Sequence, residues 1–139
     1  MKTILHMTPL LALLSTTACF DQVKTVSGNA RLASELQAKL TPAAVLYVIA
    51  RPAGETSGPP LAALRFPQPL KFPVAFTISS RDVMVPNTPF DGKITITGRI
   101  ALSGSASPAS AGDVEGIAEP DPIEVGSANV DLILDHVRP

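Results

Sequence analysis

The most regular alternation of apolar and polar residues lies at positions 92–102. One face carries Ile94, Ile96, Ile100 and Leu102, and the other carries Lys93, Thr95, Thr97 and Arg99. Gly98 falls on the apolar face and adds no polar group to it. A period of two residues with many β-branched side chains is typical of a half-buried strand. The pattern therefore predicts the central strand of a sandwich.

Further short strands are predicted between clusters of turn residues. They lie at residues 26–32, 43–51, 61–66, 70–78, 123–126 and 129–137. In the last of them Val130, Leu132 and Leu134 point inward. Residues 33–40 are expected to form a short helix or turn that ends before Pro42, and an extended crossover is the alternative. The segment 103–122 is rich in Ser, Ala and Gly and is predicted to be a long polar loop.

The predicted strand 70–78 has the pattern of an edge strand. Its inward positions are Phe72, Val74, Phe76 and Ile78. Pro73 has no N–H to donate to a neighbouring strand, so the sheet is expected to end here. We expect a partner protein to add a strand at this edge, in contact with Lys71, Pro73, Ala75 and Thr77.

The spacing of these strands, with turn residues between them, predicts an all-β domain, an antiparallel sandwich of about seven strands with one short helical turn near the N-terminus. Fourteen prolines and nine glycines imply many turns. Because aromatic residues make up only 4% of the chain and Trp is absent, aliphatic side chains must fill the core. The net charge is −1 and the chain has no basic run, which argues against a nucleic-acid partner.

The N-terminus has the layout of an export signal. Lys2 precedes an apolar run that is too short to span a membrane, and small residues follow it up to Cys19. This order resembles a bacterial lipoprotein signal, in which the cysteine is lipidated, although Thr16 stands where such signals prefer Leu. The alternative is ordinary cleavage near Ala18. We predict a signal peptide at 1–18, a tether at 19–25 behind lipidated Cys19, and one domain at 26–139. The lipid would hold the domain at a membrane on the periplasmic side of the envelope.

No catalytic residue, metal site or cofactor site is predicted. Outside the signal the only histidine is His136, which is expected to be a strand-end side chain. A single His does not make a zinc or haem site of the usual kind, and no G-x-S-x-G elbow accompanies it. Acidic residues gather late in the chain, at Asp113, Glu115, Glu119, Asp121 and Glu124. A solvated acidic loop is the expectation, and a calcium site is the alternative.

Two other features have both a structural and a functional interpretation. Arg51, Arg65 and Arg99 lie in or at the end of predicted strands. They are either solvated cations that discourage edge-to-edge pairing or a basic stripe that binds a partner's carboxylates. The loop at 79–89 contains Val83, Met84 and Val85, which either fold back on the core or form an exposed contact surface.

Several segments together resemble a known family. They are SGNARLASELQAKL, VLYVIAR, PLAALRF, LKFPVAFTIS with RDVMVP, GRIALSGSASPASAGDVEG and VDLILDHV. In this order they are similar to the C-terminal immunoglobulin-like domain of the bacterial cytochrome c-type biogenesis protein CycH, also called CcmH or CcmI. The resemblance runs from about residue 26 to the end of the chain.

The resemblance implies an immunoglobulin-like fold outside the cytoplasm and a role in cytochrome c maturation. In that family a neighbouring tetratricopeptide region accompanies the domain, and the whole protein passes apocytochrome c to the haem-ligation machinery. The expected function is a non-catalytic accessory module whose partner is apocytochrome c or a haem-ligation component. The chain also resembles, more distantly, small envelope lipoproteins related to type III secretion pilotins. That resemblance gives an alternative, a general envelope-assembly lipoprotein unconnected with haem.

Overall fold

The computed structural model describes residues 23–139, which form nine strands and two short 3₁₀ helices. The predicted signal at 1–18, Cys19 and most of the tether lie outside the described residues. The strands are β1 (Thr25–Leu32), β2 (Val45–Pro52), β3 (Ala62–Phe66), β4 (Val74–Ser79), β5 (Lys93–Ala101), β6 (Val114–Glu119), β7 (Ile123–Glu124), β8 (Val130–Leu134) and β9 (His136–Val137). The 3₁₀ helices are Ser34–Lys39 and Ser80–Asp82. No helix in this part of the chain is long and apolar enough to cross a membrane.

Strand β6 belongs to both halves of the sandwich. The main strand order is β3-β2-β5-β6-β8-β1-β4, with β7 added beside β5 and β9 added beside β6. Val114–Ile117 of β6 pair with β5, whereas Ala118 and Glu119 pair with β8. Every pair of strands is antiparallel except β1 and β8, which run parallel with Gly28 opposite Val130. The predicted sandwich is confirmed, but its purely antiparallel character is wrong for this one pair.

The alternating segment forms the central strand, as predicted. Strand β5 pairs with β2 from Val45↔Ala101 to Pro52↔Ile94, and with β6 and β7 on its other side. Its isoleucines are 0–1% exposed. Leu102 lies just beyond the strand and is half-buried.

The inner faces of the two halves meet at Gly98. A Cβ atom at this position would lie 2.8 Å from Leu132 Cδ2 and 2.9 Å from Leu134 Cδ2. The absence of a side chain therefore lets β8 pack directly across β5. Val130, Leu132 and Leu134 are 0–2% exposed, as their alternation predicts.

The segment at 33–40 contains the six-residue 3₁₀ helix Ser34–Lys39, which buries Leu36, so the extended crossover is wrong. The predicted strand at 129–137 is interrupted at Asp135, whose N–H donates to the Glu115 carbonyl at 3.2 Å.

The predicted loop at 103–122 is also wrong in part, because it contains β6. Its inward positions are Val114, Gly116 and Ala118, and two of these are too small to give a clear hydrophobic signal.

Candidate functional site

Strand β4 is an edge strand, as Pro73 predicts, and β1 is its one strand neighbour among residues 23–139. The strand begins only at Val74, so Lys71 and Pro73 lie in the approach to it. Ala75 and Thr77 are within the strand, and their side chains are exposed. The structure thus places two of the four predicted contact residues on the edge and two immediately before it.

The hydrogen-bond pattern shows which backbone N–H and C=O groups of β4 are not bonded to β1. The Ser80 N–H donates to the Lys24 carbonyl at 3.0 Å, one step beyond the pair Thr25↔Ser79. Hydrogen-bonded pairs alternate along an antiparallel ladder, so Ile78, Phe76 and Val74 continue the bonding to β1. The N–H and C=O groups of Ala75 and Thr77 therefore point away from β1. We call these two residues the open edge.

A row of five side chains crosses the outer face of the other half of the sandwich. Strand register places them side by side in the order Arg65, Tyr47, Arg99, Glu115 and His136. Directly opposite residues on one face lie within side-chain contact of each other. The sequence placed Arg65 and Arg99 on strands, but it did not show that they share a row.

Arg99 lies on the predicted outer face but is only 9% exposed. Its Nη1 donates to Asp113 Oδ2 at 3.0 Å, its Nη2 donates to the Ala106 carbonyl, and its guanidinium lies 5.9 Å from the centre of the Tyr47 ring. The loop after β5 covers it. Arg99 is therefore neither the solvated cation nor the partner-binding cation that the sequence allowed.

Asp113 fixes this loop and is 2% exposed, so the expectation of a solvated acidic loop is wrong here. Besides Arg99, its carboxylate accepts hydrogen bonds from the N–H groups of Leu102 at 3.1 Å and Ser110 at 3.0 Å. Both oxygens are thus occupied by donors, which leaves them poorly suited to bind calcium. Glu115 likewise accepts from Arg138 Nη1 at 3.0 Å.

Arg51 is half-buried on the same outer face, four residues along β2 from Tyr47. Its Nε donates to the Gly58 carbonyl at 3.1 Å and its Nη1 donates to Thr97 Oγ1 at 3.2 Å. Burial lowers the pKa of Arg51, and the nearby charge of Arg99 lowers it further, while Glu55 acts in the opposite direction. Neither Arg51 nor Arg65 forms an ion pair with any carboxylate of residues 23–139.

These side chains line an open groove of about 1180 Å³ on the outer faces of β2, β3, β5 and β6, which we call the arginine groove. Its lining combines arginines with aliphatic side chains, among them Ile49 and Ile117. Ile117 is 47% exposed, which is unusual for a large aliphatic residue in a central strand. Two acidic residues, Glu119 and Asp135, lie on the β6 side of the groove.

The loop at 79–89 combines both of its predicted roles. Val83 forms a bridge to Ala62 and packs against the core, as the fold-back interpretation requires. Met84 and Val85 are 58% and 63% exposed, as the contact-surface interpretation requires. Met84 also lines the arginine groove.

His136 is exposed, and no cluster of three metal-ligating residues occurs within residues 23–139.

Comparison with curated proteins finds none that matches the chain. Among solved structures, the chain is similar to an alternative pilotin from the type II secretion system of Vibrio cholerae. The two share 13% sequence identity with a TM-score of 0.49, and the alignment covers 83% of this chain and 99% of that chain.

The family model of the cytochrome c-type biogenesis protein H Ig-like domain matches residues 26–135. The match extends from the start of β1 to just past β8, and so includes both halves of the sandwich. It confirms the family that the sequence segments resemble. The chain belongs to the family of the cytochrome c-type biogenesis protein H Ig-like domain.

Proposed function

We propose that this chain is a non-catalytic protein-binding module that assists cytochrome c maturation on the periplasmic side of the envelope. The observation that carries the proposal is the family match over residues 26–135. An immunoglobulin-like sandwich is a scaffold that presents edges and faces to other proteins, which suits an accessory role. The partner is apocytochrome c or a component of the haem-ligation machinery.

The open edge is the docking surface in this proposal. Ala75 and Thr77 offer two N–H and two C=O groups to an added strand, and their small side chains let its backbone approach. Lys71 and Pro73 lie where the partner strand would continue beyond β4. Each new hydrogen bond contributes about 1 kcal/mol net, so four of them favour a contact that can be released again. Transient contact is what a module that passes its partner onward requires.

Haem staining of membrane and periplasmic fractions tests both parts of the proposal. We expect deletion of the gene to remove covalently bound haem and the wild-type gene to restore it. Ala75→Pro should fail to restore it, because proline removes an N–H that points outward and is not used in the β1 ladder. Ala128→Pro, in an exposed loop, is the matched control and should restore haem.

The outcomes test the role in cytochrome c maturation and docking at the open edge separately. Unchanged haem in the deletion strain would overturn the role in cytochrome c maturation. Misplaced secreted proteins in that strain would then indicate a general envelope-assembly or pilotin-like lipoprotein. If deletion removes haem but Ala75→Pro restores it, the pathway stands and docking at the open edge is wrong.

A further inference from the structure

The arginine groove is separate from the open edge, and its charges are unevenly distributed. Arg51 and Arg65 lie on the neighbouring strands β2 and β3 and flank the pair Ile49↔Ala63 on either side, whereas Glu119 and Asp135 lie across the groove beside β6. None of these four side chains forms an ion pair among residues 23–139. By contrast, the charges between them are neutralised in the pairs Arg99–Asp113 and Arg138–Glu115.

The floor between these two groups of charges is apolar. Strand register places Ala63, Ile49, Thr97 and Ile117 in one row, next to the row that contains Tyr47 and Arg99. Ile133 of β8 extends the exposed aliphatic surface and is 39% exposed. A ligand that covers this row would remove apolar surface from water, which favours binding.

We propose that the arginine groove binds an extended peptide segment in which an acidic side chain stands next to aliphatic side chains. The carboxylate binds at Arg51 and Arg65, and the aliphatic side chains pack on Ile49 and Ile117. Charge complementarity carries the proposal, because neither Arg51 nor Arg65 has a carboxylate within ion-pair distance among the described residues, and Glu55 acts on Arg51 only from farther away. The acidic end at Glu119 and Asp135 disfavours a second negative charge there and so sets the direction of the segment.

The geometry of Arg51 suits carboxylate recognition. The bonds to Gly58 and Thr97 hold the guanidinium through Nε and Nη1, while Nη2 has no hydrogen-bond partner among the described residues. A planar guanidinium that is already oriented loses little entropy when it binds a carboxylate. Burial and the charge of Arg99 lower the pKa of Arg51, and a bound anion would offset both effects.

The size of the groove fits a short peptide. Four neighbouring strands from β3 to β6 span about 14 Å at a spacing of about 4.8 Å. An extended chain advances about 3.3 Å for each residue, so four or five residues cross from the arginines to the acidic end. The walls are the loop around Gly58 and the loop around Ala106, both of which already accept hydrogen bonds from the arginines.

A random heptapeptide display library, selected on the full chain, tests the proposal. We expect enrichment of peptides that carry Asp or Glu within two residues of Val, Leu or Ile. Selection on Arg51→Gln and Arg65→Gln should lose this enrichment. Lys71→Gln, which removes an exposed cation beside the open edge, is the matched control and should keep it. Arg65 is exposed and unpaired among the described residues, so its substitution leaves the fold intact even if Arg51→Gln does not.

Affinity measurements on one enriched peptide complete the test. Fluorescence anisotropy should show about tenfold weaker binding to Arg65→Gln and a similar loss when the peptide's acid is replaced by its amide. No enrichment, enrichment without acidic residues, or equal binding to the arginine variants would each overturn the proposal. Because purified chain and peptide suffice, a negative result here leaves the role in cytochrome c maturation unaffected, and the haem stain is independent of the groove.

Discussion

At the scale of single residues, Asp113 is the most consequential polar side chain in the described part of the protein. It joins strand β5 to the loop that follows it, through Arg99 on one side and the N–H groups of Leu102 and Ser110 on the other. Three donors on one carboxylate offset the cost of burying its charge. The ion pair therefore builds one wall of the arginine groove.

Replacement of Asp113 should be costly. We expect Asp113→Ala to lower the free energy of unfolding by about 3 kcal/mol, because the buried guanidinium of Arg99 and two N–H groups lose their acceptor. Urea unfolding of the full chain measures the change. Asp91→Ala is the control, since the Lys24–Asp91 pair at 3.6 Å is largely exposed and should contribute less than about 1 kcal/mol. Equal effects of the two substitutions would show that the buried pair is not stabilising.

The sequence predicted the face of Arg99 but not its burial. Alternation along β5 is a local property and assigns each side chain to a face. Coverage of that face depends on the loop at 103–113 folding back, and hence on a contact between Arg99 and Asp113 that no local pattern indicates. The same holds for Thr95, which is fully buried on the predicted polar face, where its hydroxyl donates to Asp121 Oδ1 at 2.8 Å. Sites formed by loops over a sheet are therefore missed by strand periodicity alone.

At the scale of elements, the small inward residues of β6 let the backbone of β8 approach closely. A Cβ atom on Gly116 would lie 2.0 Å from the Ile133 carbonyl oxygen and 2.8 Å from its carbon. These are backbone atoms, so no side-chain rotation relieves the clash. Strand β5 was predictable because isoleucines mark its inward face, whereas glycine and alanine leave the inward face of β6 almost unmarked.

The atoms that a new Cβ would meet at Gly116 and at Gly98 predict how the two substitutions rank. We expect Gly116→Ala to lower the free energy of unfolding by about 3 kcal/mol or to prevent folding, because β6 and β8 must separate. Gly98→Ala should cost about 1–2 kcal/mol, since its Cβ meets only the side-chain ends of Leu132 and Leu134, which can shift where backbone cannot. Thermal unfolding followed by circular dichroism gives the order. A more harmful Gly98→Ala would contradict the role of Gly116 in joining the two halves.

At the scale of the whole molecule, the start of β1 fixes which end of the sandwich lies nearest the predicted lipid. Only five residues lie between Cys19 and Thr25, and an extended chain over those six steps spans about 20 Å. The end that holds Thr25, Ser80 and Gly126 would therefore be the end that faces the membrane.

Detergent phase partition tests the anchor on which this orientation depends. We expect the mature protein to enter the detergent phase, because a lipidated Cys19 adds long acyl chains that favour it. Cys19→Ser should move the protein to the aqueous phase without changing its unfolding midpoint. Recovery of the unsubstituted protein in the aqueous phase would indicate ordinary cleavage near Ala18 instead.

The parallel pairing of β1 with β8 also determines when the domain can be completed during synthesis. Gly28 is made early, and its partner Val130 follows it only after β2 to β7 have been made. Until then β1 has only β4 beside it, and β8 is not yet present to join β1 to β6. A long-range contact of this kind delays folding of the domain until β8 is available. A nascent chain would thus stay loosely structured, as passage through an export channel would require if the predicted signal directs export.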